Sequence, residues 1–308
     1  MKIVVVGAGG VGGYFGARLA EAGHNVTFVV REPHFSIILQ DGLKIIHSEG
    51  EFTVHPKVVK DFKEIPDMDL IILAIKSWQL QTVAEQFKPY LQKHTLVLPL
   101  QNGVGSVDKL SEVIPAKNIL AGFCKIVSKV ESPGIIRHLN FKPEIVFGEI
   151  DNSQTNRILK LQQRLSKANF VATVPKDIHL EIWKKFLFIA TVSGLGGLTR
   201  MTMGVLRSES YTRQLLEESS KEIIALAQAK GIGLSEEHFL MVMGVIDNLE
   251  PDTTASVQRD IMAGKPSELE DFNGYIMKEG RKLGVDTPTH AFTYYCLLPM
   301  EKKARNLL

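Results

Sequence analysis

The 308 residues predict an α/β protein in two parts: a doubly wound parallel sheet over residues 1–174 and an all-α domain over residues 175–308. Three observations predict it. Short aliphatic runs, apolar on both faces, alternate with amphipathic stretches as far as Pro175. The β signal then stops, and the long segments that follow carry helical spacing. Alternation of this kind is the mark of an α/β sheet, and a change of period marks a change of domain class.

In chain order, the runs Ile3 to Val6, Val26 to Val30, Leu70 to Ala74 and Leu96 to Leu98 are bounded by Gly, Asp or Pro. Apolar residues on both faces fit buried parallel strands better than half-exposed antiparallel ones. Between them, Gly10 to Ala22 and Gln79 to Tyr90 read as helices. The later runs 119–127, 135–139 and 144–147 read as hairpin strands that extend or cap the sheet. After Pro175, helices are predicted over 178–192, 212–230, 236–249, 267–283 and 288–305. In the second of these, Leu216, Ser219, Ile223, Leu226 and Ala227 form one apolar stripe and Gly231 stands at the stop. Ser235 is the expected N-cap of the next helix.

Composition narrows the function. With 36 Lys and Arg against 34 Asp and Glu, the net charge of +2 gives no reason to expect a nucleic-acid partner. Cys124 and Cys296 lie far apart without a CxxC, so neither a disulfide framework nor a cysteine-rich metal site is expected. Only four apolar residues follow Met1-Lys2 before Gly7, which does not resemble an export signal. No run approaches a membrane span, so a cytoplasmic protein without a membrane partner is expected. HExxH, GxxxxGK[ST] and GxSxG are absent from the sequence, which removes the metalloprotease, P-loop and α/β-hydrolase readings at the motif level.

Gly7-Ala8-Gly9-Gly10-Val11-Gly12 is a GxGxxG directly after the first strand and at the head of the first helix. Alone the hexapeptide is a weak signal, but the strand-turn-helix context makes it a Rossmann-type dinucleotide fingerprint. The first glycine allows the turn, the second admits the pyrophosphate, and the third lets helix and strand approach. Free N–H groups at the helix start face the anion. NAD sites usually place an acid at the end of the second strand to bind the ribose, whereas here the chain reads Val29-Val30-Arg31-Glu32. Arg31 suits a 2′-phosphate and favours NADP over NAD. Glu32 could instead neutralise Arg31 or bind a ribose itself. Lys76 and Asn102 stand where the third and fourth strands end, the edge at which such sheets bind ligands.

Taken together in order, GAGGVG, Lys76-Ser77-Trp78-Gln79, Gln101-Asn102-Gly103-Val104-Gly105, Glu181-Ile182-Trp183-Lys184-Lys185 and the block from Ser256 to Glu270 resemble the ketopantoate reductase (2-dehydropantoate 2-reductase) family. Asn273-Gly274 and Gly284 to Pro288 continue the resemblance, which runs from Lys2 to about Ala291. It implies NADPH-dependent reduction of a 2-keto acid to a 2-hydroxy acid, the pantoate-forming step toward pantothenate and coenzyme A. By the same resemblance Lys185 matches a catalytic lysine, with Glu268 as its companion. Asn102, Ser256 and Glu268 match positions near substrate and nicotinamide, and Lys76 and Arg31 match cofactor contacts. The chemistry agrees: hydride transfer to a ketone leaves an alkoxide, and a partly buried lysine can supply its proton near neutral pH.

The sequence departs from the family at two places. Four and eight residues after the catalytic lysine, where the family places substrate-binding asparagines, stand Ile189 and Ser193. At i, i+4 and i+8, Lys185, Ile189 and Ser193 share one helical face. That face has lost an amide and kept a hydroxyl, which leaves the reaction type intact and opens the identity of the keto acid. Arg200 could replace the lost contacts as a carboxylate clamp, or be a surface charge. Two other readings stay open: a reductase of another branched 2-keto acid, and a non-catalytic NADP-binding redox sensor, which would have no need of both Lys185 and Glu268. A homodimer is one assembly the sequence allows.

Overall fold

Alternate residues of the first strand enter different cores, which is why its apolar run has no polar face. Ile3 and Val5 join one buried cluster and Val4 and Val6 another. The computed structural model describes residues 1–308, apart from the side chain of Asn140. Two units result: Met1–Asn102 with Ser106–His179, and Gly103–Gly105 with Leu180–Leu308.

The first unit runs β1 (Lys2–Val6), α1 (Gly10–Glu21), β2 (Asn25–Val29), α2 (His34–Asp41), β3 (Leu43–His47), β4 (Gly50–Val54), β5 (Lys57–Val59), β6 (Leu70–Leu73), α3 (Leu80–Phe87) and β7 (Leu96–Pro99). It continues with α4 (Ser106–Ser111), β8 (Leu120–Ser132), β9 (Ile135–Glu149), α5 (Asn156–Leu165) and β10 (Val171–Thr173). A five-stranded parallel sheet has the order β5-β2-β1-β6-β7. The same division of alternate residues recurs in β6, with Leu70 and Ile72 on one side and Ile71 and Leu73 on the other.

The expected hairpin is present, but it does not extend this sheet. β8 and β9 pair antiparallel and belong to a second sheet of order β10-β9-β3-β4, with β8 on β9. Just before β8, a single isolated bridge joins Ile119 to Val97 of the first sheet. Helix α1 packs against strands of both sheets. The runs 135–139 and 144–147 are one continuous strand, β9.

The second unit holds most of α6 (Ile178–Thr199), then α7 (Met203–Ser208), α8 (Ser210–Ala229), α9 (Glu236–Asp247), α10 (Ser256–Met262), α11 (Tyr275–Leu283) and α12 (Pro288–Ala304). Helix α8 is its hub, packed on α7, α9, α11 and α12. The predicted stripe Leu216, Ser219, Ile223, Leu226 and Ala227 is buried throughout. Gly231, at φ +76, takes the left-handed turn after α8, and Ser235 stands at the N-cap of α9 with its hydroxyl 2.9 Å from His238 Nδ1. The helix expected over 267–283 begins later and with a wider turn: Glu270–Gly274 is a π turn that leads into α11, closed by the Gly274 N–H to the Leu269 carbonyl at 3.0 Å. Such turns are frequent at functional sites.

Candidate active site

The parallel register sets a candidate nucleotide site in the first unit. Val6 of β1 pairs with Val29 of β2 and Leu73 of β6, and Leu73 pairs with Pro99 of β7. The segments leaving these four strands, beginning at Gly7, Val30, Ala74 and Leu100, therefore emerge side by side at one carboxyl edge. That edge is where open α/β sheets bind ligands.

Gly7 has φ +95, and a Cβ there would meet the Ala74 carbonyl oxygen at 2.8 Å, so the turn excludes any side chain. At Gly12 a Cβ would stand 2.1 Å from the Gly7 oxygen, which fixes how closely α1 approaches the strand. Gly9 differs: no atom lies within 4 Å of its Cβ position. Packing does not require glycine at Gly9, and the open space suits a pyrophosphate brought against the backbone. Gly10 begins α1 against the Ser128 carbonyl of β8, while Ala8 is buried and Val11 half-buried. The residues present thus fit a dinucleotide.

Arg31 lies two residues past β2, exposed, and makes no side-chain hydrogen bond or ion pair among the described residues. Glu32 does not neutralise it. The Glu32 carboxylate pairs with Lys60 at 2.8 Å and accepts from the Ser36 hydroxyl at 2.7 Å, and these bonds hold its pKa below the usual carboxylate range. Lys60, which in turn stacks on Phe35, is 28 positions from Glu32, so the sequence around Arg31 carried no sign of it.

Lys76 is half-buried, its ammonium 5.6 Å from the Trp78 ring centroid, and Asn102 is half-buried on the neighbouring loop. The residue that binds these two loops together escaped the sequence reading. Buried Gln101 donates from Nε2 to the Leu73 and Ile75 carbonyls, both at 2.9 Å, and so ties the Asn102 loop to the Lys76 loop. Its signal was the first letter of QNGVG, a block read only for its asparagine.

In the helical unit, Lys185 and Ile189 are half-buried and Ser193 is 2% exposed, all along α6. Lys184 turns elsewhere and pairs with Glu181 at 2.8 Å. Close packing of α6 rests on glycines: a Cβ at Gly194 would meet the Asn273 amide at 2.6 Å, and one at Gly196 the Gln258 oxygen at 2.6 Å. Gln258 belongs to α10, whose first residue is the exposed Ser256, so α10 is seated on the later turns of α6. Glu268 is buried, and its carbonyl accepts from the Asp271 and Phe272 N–H groups at 3.1 Å, opening the π turn. Arg200 is not brought to the others. It caps α6 in a left-handed conformation, φ +59, and is exposed. Fifteen residues of helix separate it from Lys185, about 22 Å along the axis, too far for both to hold one small keto acid.

Beneath the π turn lies a buried polar chain. His290 of α12 places Nδ1 3.0 Å from Asn273 Nδ2, while its Nε2 lies 3.0 Å from the Ser219 hydroxyl and 3.1 Å from the Ser219 carbonyl. Because a carbonyl only accepts, Nε2 carries the proton and Nδ1 accepts from the Asn273 amide. Burial pushes the imidazole down to about 4, so it is neutral at pH 7.

A parallel sheet with a glycine turn and helix start at its carboxyl edge, joined to a helical unit, defines a dinucleotide-binding oxidoreductase architecture. The chain belongs to the ketopantoate reductase family: residues 3–152 match the pattern described as Ketopantoate reductase PanE/ApbA, and residues 177–301 its C-terminal counterpart. That family acts on small-molecule keto acids. Among relatives, the chain is 30% identical over 299 residues to the uncharacterized oxidoreductase YkpB of Bacillus subtilis, covering 96% of this chain and 97% of that protein. Among solved structures, it is similar to a PanE/ApbA family ketopantoate reductase from Ralstonia eutropha, with TM-score 0.91 and 26% identity over 99% of this chain and 100% of that one. It is also similar to a D-mandelate dehydrogenase in complex with NADH and anilino(oxo)acetate, with TM-score 0.88 and 25% identity over 99% of this chain and 100% of that one. Among the described residues no helix is long and apolar enough to cross a membrane.

Proposed function

We propose that the protein is an NADPH-dependent 2-keto acid reductase whose substrate is ketopantoate, reduced to pantoate. Lys185 carries the assignment, as the half-buried ammonium on the helix face shared with Ile189 and Ser193. The preference for NADPH is supported by Arg31, left without a protein partner beside the glycine turn while Glu32 is engaged by Lys60 and Ser36.

Gly7 to Gly12 and the N-terminus of α1 would hold the pyrophosphate, Arg31 the 2′-phosphate, and Lys76 and Asn102 the nearer parts of the dinucleotide. When bound, the cofactor supplies the hydride. Lys185 holds the proton that the substrate oxygen takes as negative charge develops on it, and the ammonium stabilises that charge. Glu268 orients Lys185 or accepts from the forming hydroxyl, and Ser256 and Ser193 offer hydroxyls to the keto acid. Arg200 has no part.

A second reading has its own observation. Ile189 presents a half-buried apolar side chain one turn from Lys185, where an amide would recognise a hydroxylated substrate. An apolar 2-keto acid would suit it, and the similar D-mandelate dehydrogenase, solved with NADH and anilino(oxo)acetate, supports this reading. NADPH oxidation followed by absorbance with ketopantoate and a panel of branched and aromatic 2-keto acids decides between the two by kcat/KM. Intact NADPH binding without turnover of any of them would leave only a sensor.

A further inference from the structure

Ser267, the residue before Glu268, is held at every polar atom it has. Its N–H donates to both carboxylate oxygens of Glu301, at 3.0 Å each, and its hydroxyl donates to Glu301 Oε2 at 2.5 Å. Its carbonyl accepts from Arg305 Nη2 at 2.9 Å, and Arg305 Nε closes the loop on Glu301 Oε1 at 2.6 Å. Ser267 and Glu301 are both buried, the latter only 6% exposed. A carboxylate in such surroundings is costly to keep there unless its oxygens are satisfied by donors, and these are.

The other grips on this segment come from the same helix. Tyr294 donates to Glu270 Oε2 at 2.6 Å, and His290 holds Asn273. Positions 290, 294 and 301 fall at i, i+4 and i+11, one face of α12, and Arg305, the residue that caps the helix, follows at i+15. That face meets Ser267, Glu270 and Asn273 in turn, and Glu268 lies within the stretch it grips. A π turn at the head of a helix is not the backbone's own preference, so its partners must specify it.

We propose that the Glu301–Arg305 pair is a positioning device for Glu268: by fixing the N–H, hydroxyl and carbonyl of Ser267, it sets the direction in which the Glu268 side chain leaves the backbone. The premise is the role of Glu268 in the reduction proposed above. Neither residue of the pair is a catalytic residue; both act through Glu268. A site residue held this way owes its placement to a supporting shell, and a shift of about 1 Å can lower turnover about 100-fold.

The test is a double-mutant cycle on the full chain, reading kcat with NADPH and the best keto acid of the panel. Glu301→Gln, Glu268→Ala and the double variant are compared. The expected result is a fall of about 100-fold for Glu301→Gln alone and no further fall when it is added to Glu268→Ala. Arg305→Lys, which keeps a charge for Glu301 but cannot span Glu301 and the Ser267 carbonyl together, should give a smaller loss that also vanishes in the Glu268→Ala background. It carries the cycle by itself if Glu301→Gln does not fold. Equal losses in both backgrounds would mean that the pair merely stabilises the fold, and silence of Glu301→Gln and Arg305→Lys beside a damaging Glu268→Ala would likewise overturn the proposal while leaving the site reading standing. If Glu268→Ala were itself silent, the site reading would fall first and the positioning role with it.

Discussion

His290 gives the protein an acid sensitivity that can be worked out in advance. Its imidazole is fully enclosed, and burial lowers its pKa from 6.5 to about 4, with the Ser219 carbonyl opposing the shift only in part. In the unfolded chain the same ring titrates near 6.5. Between these values the unfolded state binds a proton that the folded state refuses, so stability rises with pH across this window and is complete above about 6.5. Acidification through the whole window removes roughly 3 kcal/mol, and lowering the pH from 7 to 5 removes about 2 kcal/mol of it. In His290→Gln a neutral amide can still donate to Ser219 while the titration is gone. Urea unfolding of both proteins at pH 7 and pH 5 isolates this residue, because the other histidines contribute equally to both. The variant should be less stable than the parent at pH 7 and should close about 2 kcal/mol of that gap at pH 5. A gap that stays constant between the two pH values would refute the buried, neutral state assigned to His290.

Three further outcomes are expected. Arg31→Ala should weaken NADPH binding roughly 10- to 100-fold, with little effect on NADH, the loss expected for one charge-assisted contact to a 2′-phosphate; equal effects in titrations with the two cofactors would remove Arg31 from the site. Lys185→Ala should lower kcat by roughly 10²–10⁴-fold with NADPH affinity little changed, whereas Lys184→Ala should be mild because Lys184 is spent on its half-buried pair with Glu181. Damage from Lys184→Ala and not Lys185→Ala would shift the assignment by one residue. Ile189→Asn should raise kcat/KM for ketopantoate if the loss of the family amide is simple drift; reduced activity together with a stability loss of about 1–3 kcal/mol would mark a pocket built around an apolar side chain.

The parts of the fold that were legible are those in which adjacent residues carry the signal. β1 and β6 could be read because each is buried on both faces, and α8 because its stripe is continuous. Of the second sheet, the β8–β9 hairpin was legible and the rest was hidden. β3 and β4 there, like β5 at the edge of the first sheet, are three to five residues long, and polar residues such as Lys44, Glu51 and Thr53 interrupt their apolar runs. The π turn was hidden for another reason: Ser267 to Leu283 keeps an unbroken helical spacing, and what opens the extra residue is contact with α12, up to 34 positions away. The same holds at the site. The glycine turn, Lys76, Asn102, Lys185 and Glu268 are candidates that motif order supplies, but the release of Arg31 from Glu32 depends on Lys60, and the two loops at the carboxyl edge are joined by a glutamine whose bonds run to carbonyls 26 and 28 positions away.

On the roles proposed for its residues, helix α6 separates reaction type from substrate choice along its length. Lys185 lies near its start, position 189 about 6 Å further along the axis, and position 193 about 12 Å. The later turns cannot be adjusted. Gly194 and Gly196 press on Asn273 and Gln258, so a larger residue at either would displace the π turn or α10, and Ser193 is already enclosed. Lys185, as the proposed proton donor, would be fixed by its chemistry. Position 189 alone on this face is half-buried, away from the glycine contacts, and not required for proton transfer. A substitution there can change which side chain the keto acid carries while leaving the proton donor and the helix packing where they are. An isoleucine in place of an amide is therefore compatible with an intact reductase, and differences in specificity among chains sharing this fold should concentrate at this position before they touch Lys185 or the glycines.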